Sequence, residues 1–585
     1  MASWKYRRPQ KDLADIGKEI LEGSTICPEM VLADVAPGAG KSFLVPIWFA
    51  ALKAAGVVDR VCWVVPRVSL IEQAAVAFLD ERLREELGHT YEIRGVTNQD
   101  QKPVRGEAIG FAVTYQGLLW DSQISQHEMR RHKYLLVLDE PHHCSTSRRE
   151  QESSAWTRAI QPLYDLATTR LLMSGTFRRH DDELVAFVPY VEKEGGFDID
   201  FRDTPERRVI RYSISDSRKE KAIVGIDFVQ IDARAEWLSG EGKTLKTETL
   251  GSNKQALYVA LQTGYATALL AGCIEHWKNY RHKNTRSKVL VVCSNVPQAR
   301  KMHTYLTHEL DVSAKIAVSE DSQDAQNNIK AFRKGGCHVL VTVAMAYEGL
   351  DVPEATHLAC LTHVRSVPWL IQMFARLFRI DASCGLPYEE QSGYAWVPDD
   401  DYMTEARNEI PNPQNFIPSI TPGPDDPKEP KEGPNWPKAP LVVPLGSSIS
   451  GYRASRMAGE SLSSEQTSQV HTFRDRHPFL STATEMQIWG MIQDPDKKPS
   501  FPQPVPSGPA LTMNEKEVQQ RKRIRNYTNS WERKMGKEFG WLNRLILKRG
   551  WMPRGEMSSV ELHKLWLYIQ KTWPFPLGGE QREAS

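Results

Sequence analysis

Residues 31–51 read VLADVAPGAGKSFLVPIWFAA. Val31–Val35 is an apolar run of strand length, the next residues form a glycine-bearing turn, and a helical pattern starts near Lys41. The turn closes on Gly40-Lys41-Ser42. In such a turn the backbone N–H groups of Gly38, Ala39 and Gly40 cradle phosphate. The Lys41 ammonium pairs with the β/γ-phosphates, and the Ser42 hydroxyl holds Mg²⁺. The spacing G-x-x-x-x-G-K-[ST] asks for a glycine at position 35, where Val35 stands. Small-molecule kinases, switches, transporters and motors share such loops, and a chance G-x-G-K-S on a surface turn looks the same.

On either side of this unit the chain keeps alternating. RVCWVVP, AIGFAVTY, YLLVLDEP and RLLMSGT are short apolar runs ending in turn or polar residues, with helical segments such as LIEQAAVAFLDERLREEL between them. This is a βαβ series of buried parallel strands. It restarts with SKVLVVCSNV, CHVLVTVAM and THLACLTHV. The expected organisation is one α/β domain over residues 1–205, a second over 206–405, a Pro-rich linker or strap over 406–450, and a helical module over 451–585. A length of 585 residues exceeds what one core supports. With 74 basic and 73 acidic residues, whole-chain charge identifies no partner. No apolar run approaches a membrane span, and the N-terminus lacks a signal-peptide centre. The eight cysteines form no C-x-x-C pair, a reduced, cytoplasmic pattern.

Two further stretches give the loop its company. LLVLDEPHH is an apolar strand ending in Asp139-Glu140. One carboxylate suits Mg²⁺ and the other an attacking water. Taken alone, a strand-end Asp-Glu is a solvated turn. In VPWLIQMFARLFRI, Gln372, Arg376 and Arg379 fall at i, i+4 and i+7 on a helix whose other residues are apolar nearly all round. Two arginines on such a helix need anionic partners, and a γ-phosphate bound by another domain supplies one.

In these three stretches and their order, the chain resembles a superfamily 2 helicase or translocase of the DExH type, α/β with two tandem RecA-like domains. Eight segments over roughly residues 5–400 are similar to the family's motifs and come in its order: VAPGAGKS, VVPRVSLIEQ, VTYQGLL, DEPH, MSGT, VVCSNV, VTVAMAYEGLDVP and QMFARLFR. YRRPQ is similar to the adenine-reading segment, with Gln10 as reader. The resemblance implies ATP and Mg²⁺ as cofactors. It gives Asp139 and Ser42 to the metal, Glu140 to the water, and Arg376 and Arg379 to the γ-phosphate. His142, Ser174 and Thr176 couple nucleotide state to the track, and Gly349 and Asp351 face the nucleotide. Val35, Pro141 and Ala375 depart from the usual residues, while the charged positions survive.

A nucleic-acid strand would lie on Arg67, Thr114, Ser294, Asn295 and Thr342, contacted at its backbone. For the hydroxyl residues among them, the plain alternative is a helix cap. DNA is favoured over RNA, with replication or defence proteins as further partners. Between Asn514 and Arg554 stand 12 Lys or Arg against 4 Glu, interleaved with Trp531, Trp541 and Trp551. This suits strand binding by charge and stacking, or a helical bundle with a Trp core. The tail, SGTFRR and MAYEGLDVP loosely resemble phage-type helicases. That places the chain in a bacterial or phage-infected cytoplasm. His142-His143-Cys144 lacks zinc-ligand spacing.

Overall fold

The computed structural model describes residues 4–411 apart from 97–102, 105, 121, 147–153, 180–182, 195, 240–242, 319–322, 344–349 and 351. It also describes 417–418, 443–456, 469, 472, 492 and most of 520–573.

The first sheet has seven strands, all parallel, in the spatial order 207–212, 30–35, 169–174, 134–139, 60–65, 110–114 and 94–95. Tyr134–Asp139 and Gly110–Thr114 are buried along their whole length. A strand covered on both faces by helices must read as one continuous apolar run. The helical stretch 70–87 is two helices, Val68–Leu79 and Glu81–Leu87. Asp80 divides them, because its carboxylate accepts from the N–H groups of Arg82 and Leu83 and starts a new helix.

In the second sheet the strands 225–238, 392–398, 355–361, 288–293, 339–343 and 314–317 run parallel in that spatial order. Two antiparallel strands flank Gly225–Leu238, namely 244–247 and 443–456. The two sheets with their helices are the tandem RecA-like domains. One apolar cluster runs from Val31, Ala33 and Val35 through Tyr212, Ile223 and Phe378 to Leu290 and Val292, so the domains share a packed junction.

Two boundaries differ from the sequence reading. Arg207–Tyr212 pairs with Met30–Val35, so the first sheet extends beyond residue 205. The stretch expected as linker to residue 450 ends in a strand: Val443–Arg456 pairs along the whole of Asp227–Leu238. Ser455 Oγ seals that pairing, donating at 2.7 Å to Oε1 of Gln230, to which Arg407 also donates at 2.7 Å. Between these points Ile417–Pro418 pairs with Gly196–Phe197 of the first domain. After the second domain the chain therefore touches the first before returning.

Among the described residues no single helix is long and apolar enough to cross a membrane. A bent pair, Lys254–Gln262 and Gly264–Tyr280 at 69°, passes by length and composition. Its apolar residues pack in the second domain's core.

Candidate functional site

Val35 is buried and is still strand, paired with Tyr212, so the phosphate loop begins only after it. Ala39 N–H closes a turn on the Ala36 carbonyl at 3.1 Å. Pro37 and Gly38 occupy its centre, with Gly38 at φ +83°, where only glycine sits without strain. Gly40 follows at φ +90° and leads into a tight turn over Lys41–Phe43 and the helix Leu44–Ala54.

The loop's lysine meets the next motif. Lys41 Nζ lies 3.2 Å from Asp139 Oδ1 and hydrogen-bonds Glu140 Oε1. Burial works against the Lys41 ammonium, yet Asp139 and Glu140 outweigh it and hold its pKa above that of an ordinary lysine. For Asp139 burial wins and the carboxyl is raised, with Lys41 pulling against it. For Glu140 burial opposes ionisation too, but Lys41 and His142 together hold the carboxyl below its usual range. The pair's pKa values are pushed apart, as two carboxylates with different tasks require. Glu140 also sits at φ +54°. A non-glycine residue there stores about 1–3 kcal/mol of strain, the kind held at functional sites. Ser174 Oγ is within hydrogen-bond distance of both Glu140 Oε2 and the Thr176 carbonyl, so its single proton serves one at a time.

The second domain reaches this site at two points. Gln372 Nε2 donates to Nε2 of His142 at 3.0 Å. The His142 proton then sits on Nδ1, 3.4 Å from Glu140 Oε2. A line of contacts thus runs from the Val367–Phe374 helix to the carboxylate. Further along, the α-helix gives way to a tighter turn over Ala375–Leu377, so the three polar residues no longer share one helical face. Arg379 Cδ and Phe378 Cβ lie 3.4 and 3.5 Å from where a Cβ on Gly38 would be, which sets Arg379 against the phosphate loop. Arg376 donates to the Leu350 carbonyl at 3.0 Å.

Other expected positions behave differently. Gln10 is only 1% exposed. Its Oε1 accepts from Arg7 N–H at 3.1 Å and its Nε2 donates to the Gly40 carbonyl at 3.2 Å, so both ends of its amide are engaged on protein. Thr114 Oγ1 accepts from Gly117 N–H, and Asn295 Oδ1 from Gln298 N–H, both cap bonds at 2.9 Å. Ser294 Oγ donates to the Leu361 carbonyl at 3.0 Å and Thr342 Oγ1 to Val343 at 3.2 Å. Arg67 is half-buried at the start of the Val68–Leu79 helix. Gly349 and Asp351 lie outside the described residues.

Two residues were missed. Tyr115 O–H donates to the Asp139 carbonyl at 2.9 Å, and Arg179 donates to the His142 carbonyl. Each stands in a quoted motif, VTYQGLL or SGTFRR, but bonds to backbone, which no residue pattern announces.

The donor set fits a divalent cation. Asp139 Oδ1 is buried without a hydrogen bond of ordinary geometry, and hard oxygens from a carboxylate and a hydroxyl suit Mg²⁺.

Residues 8–179 match the family model described as type III restriction enzyme, res subunit, and residues 269–381 match that of the helicase conserved C-terminal domain. Uncharacterised proteins of Mycobacterium tuberculosis (strain ATCC 25618 / H37Rv) and Mycobacterium leprae (strain TN) are each 23% identical to it, over 367 and 334 residues. The alignments take in 60% and 56% of this chain, which spans about half of those relatives, 56% and 52% of their lengths. Among solved structures, the ATP-dependent type ISP restriction-modification enzyme LlaBIII bound to DNA is 13% identical at a TM-score of 0.43, covering 71% of this chain and 29% of that one. Dbp5 of S. cerevisiae bound to RNA and ADP BeF3 is 13% identical at a TM-score of 0.41, covering 69% and 91%. The two family matches fall one on each RecA-like domain, and together they support a superfamily 2 helicase.

Proposed function

We propose that this chain is a nucleic-acid-stimulated ATPase that moves along or unwinds DNA. The observation that supports this most directly is the pairing of Gln372 with His142 across the two domains, beside Lys41, Asp139 and Glu140. A hydrolysis site alone needs no hydrogen bond from a second domain, whereas a motor needs one that forms and breaks with nucleotide state.

In the nucleotide-bound state Ser42 and Asp139 would hold Mg²⁺, which neutralises phosphate charge. Lys41 turns from the carboxylates to phosphate. Glu140 is then released from Lys41 and free to accept a proton from the attacking water. Arg379, already against Gly38, stabilises charge on the transferred group. His142 reports the state of Glu140 to Gln372, so hydrolysis loosens the domain contact and the bound strand is stepped.

A second reading is that the chain is the motor subunit of a larger restriction or defence assembly. The match to a restriction res subunit and the greater length of its relatives favour it. The experiment is ATP turnover by the purified chain with single-stranded DNA, duplex DNA and RNA in parallel, followed by strand displacement. Stimulation by DNA with displacement supports the autonomous helicase, and stimulation without displacement supports the subunit. Turnover indifferent to every nucleic acid, or unchanged in Lys41→Ala, would overturn the proposal.

A further inference from the structure

Trp63 lies inside the strand Arg60–Val65 and, as a sequence residue, reads only as apolar filling of RVCWVVP. In the sheet it pairs with Val137 of the strand Tyr134–Asp139. Side chains alternate along a strand, so Trp63, Val137 and Asp139 stand on one face of the sheet. Trp63 and Val137 share their apolar cluster with Val31 and Val35, on the strand that leads into the phosphate loop. Neighbouring strands lie about 4.8 Å apart and rise about 3.3 Å per residue, which sets the Asp139 Cα about 8 Å from that of Trp63. An indole and a carboxylate can meet across that gap.

Both groups have a bond unmade. Trp63 is 1% exposed, and its Nε1 is buried without a hydrogen-bond partner. Oδ1 of Asp139 is buried without a hydrogen bond of ordinary geometry, 3.2 Å from Lys41 Nζ. An unmet donor by itself assigns no role, since Trp48 of the same cluster leaves its indole N–H unmade too. The shared face with a carboxylate is what sets Trp63 apart. Burial raises the Asp139 carboxyl, Lys41 works against it, and the Trp63 N–H acts on the side of Lys41. Lys41 has a long side chain that can swing to phosphate, whereas the indole is locked by packing. Once Lys41 has turned away, a buried donor and a buried acceptor both gain by closing on each other.

We propose that Trp63 is a positioning residue for the metal site: its indole N–H takes one oxygen of the Asp139 carboxylate when Lys41 moves to the nucleotide, which leaves the other oxygen oriented for a divalent cation. The inference rests on the nucleotide reading of the site. A group that orients a metal-ligating carboxylate sets affinity for the cation and not for the nucleotide.

The test uses the full chain with Trp63→Phe, with Trp48→Phe as the matched loss of an indole from the same core, and with Asp139→Asn. The probe is Mn²⁺, titrated by its paramagnetic resonance signal in the presence of a non-hydrolysable ATP analogue. Metal-free binding of the analogue and turnover over a range of Mg²⁺ are measured alongside. Trp63→Phe should weaken Mn²⁺ binding about ten- to a hundredfold and raise the Mg²⁺ needed for half-maximal turnover by a similar factor. Metal-free analogue affinity and kcat at saturating Mg²⁺ should stay within a few-fold. Trp48→Phe should move none of these. A lowered melting temperature in Trp63→Phe with wild-type Mn²⁺ affinity would make Trp63 a packing residue and overturn the proposal. So would an equal loss of Mn²⁺ affinity in Trp48→Phe. Should Trp63→Phe fail to fold, benzothienylalanine at position 63 decides, because it keeps the ring shape and puts sulfur in place of the N–H. Wild-type Mn²⁺ affinity in that protein overturns the proposal, and weakened affinity sustains it. If Asp139→Asn binds Mn²⁺ as the wild type does, the reading of Asp139 as a ligand has failed and the role of Trp63 with it. If Asp139→Asn loses Mn²⁺ and Trp63→Phe does not, only the role of Trp63 has failed.

Discussion

The two arginines of QMFARLFR separate. Sequence spacing gives Arg376 and Arg379 one role, but the tight turn over Ala375–Leu377 sends them to different partners. Arg379→Ala should keep ATP affinity within a few-fold and lower kcat by about 10³-fold, the range for an arginine acting on transition-state charge. Arg376→Ala removes a bond to the Leu350 carbonyl and should act on the coupling of the segment around Leu350, with a smaller fall in kcat. Equal kcat losses in stopped-flow turnover would return both residues to one role. Asp34 offers a separate check on the electrostatics beside the loop. Burial pushes its carboxyl up to about 6, with Arg211 pulling against it at 3.3 Å. In the unfolded chain an aspartate titrates near 3.9, so between about pH 4 and pH 6 the unfolded state gives up its proton first. Stability therefore falls as pH rises through that window. Asp34→Asn should stabilise the protein at pH 7.5 by an order of 2 kcal/mol and do nothing at pH 4. Melting curves that coincide at both pH values would show that Asp34 is not held in that state.

At the scale of elements, what the sequence discloses depends on whether a segment's own residues determine it. YLLVLDEP, RVCWVVP and SKVLVVCSNV are strands in any reading, because five consecutive apolar residues have nowhere to go but a doubly covered sheet. The strand Val443–Arg456 has no such signature. Its sequence VPLGSSISGYR mixes proline, glycine and serine without alternation, and it becomes a strand only because Gly225–Leu238 offers a long open edge. Site residues divide the same way. Lys41, Asp139 and Glu140 are legible since charge at the end of a buried strand or turn is costly without a task. A cap at Thr114 is the alternative its hydroxyl already offers, whereas the capping by Asn295 and the engagement of Gln10 by Gly40 depend on backbone neighbours that spacing does not reveal. The edge strand gives a truncation test. A chain ending at residue 449 loses half of this strand together with Ser455, the buried partner of Gln230. It should unfold at lower temperature, with loss of ATPase. A chain ending at 456 keeps the strand and should retain basal ATPase. Equal melting temperatures and turnover for the two would mean that the strand adds nothing to the second domain.

For the molecule as a unit, the question is what the C-terminal residues add to the two RecA-like domains. Ile524, Trp531, Leu542, Ile546, Leu562, Leu565 and Ile569 form a core of their own. Trp531 is 7% exposed and stacked on Trp541 with ring centroids 6.2 Å apart. Arg523 lies 4.1 Å over the Trp566 ring and Arg549 5.0 Å over Trp573. Trp531 thus packs in the core, while Trp541 and Trp551 of the interleaved set are half-buried against it. Charge is the other means by which the module can meet a strand. Glu532, one of the four acidic residues among the 12 basic ones of 514–554, is buried and accepts from the N–H groups of Gly540 and Leu542. Removing residues 457–585 should weaken binding to a labelled single strand and make its salt dependence shallower, because fewer cations then displace counterions. Loss of about five phosphate contacts lowers the log–log slope by roughly 4. Trp531→Ala should melt the module and reproduce the truncation, whereas replacing Lys548 and Arg544 by alanine should reduce the slope and leave the fold in place. Anisotropy over a salt series separates the outcomes. An unchanged slope in the truncated chain would assign the module to a protein partner, and a slope unchanged by the Lys548 and Arg544 replacements would move the contact to another face.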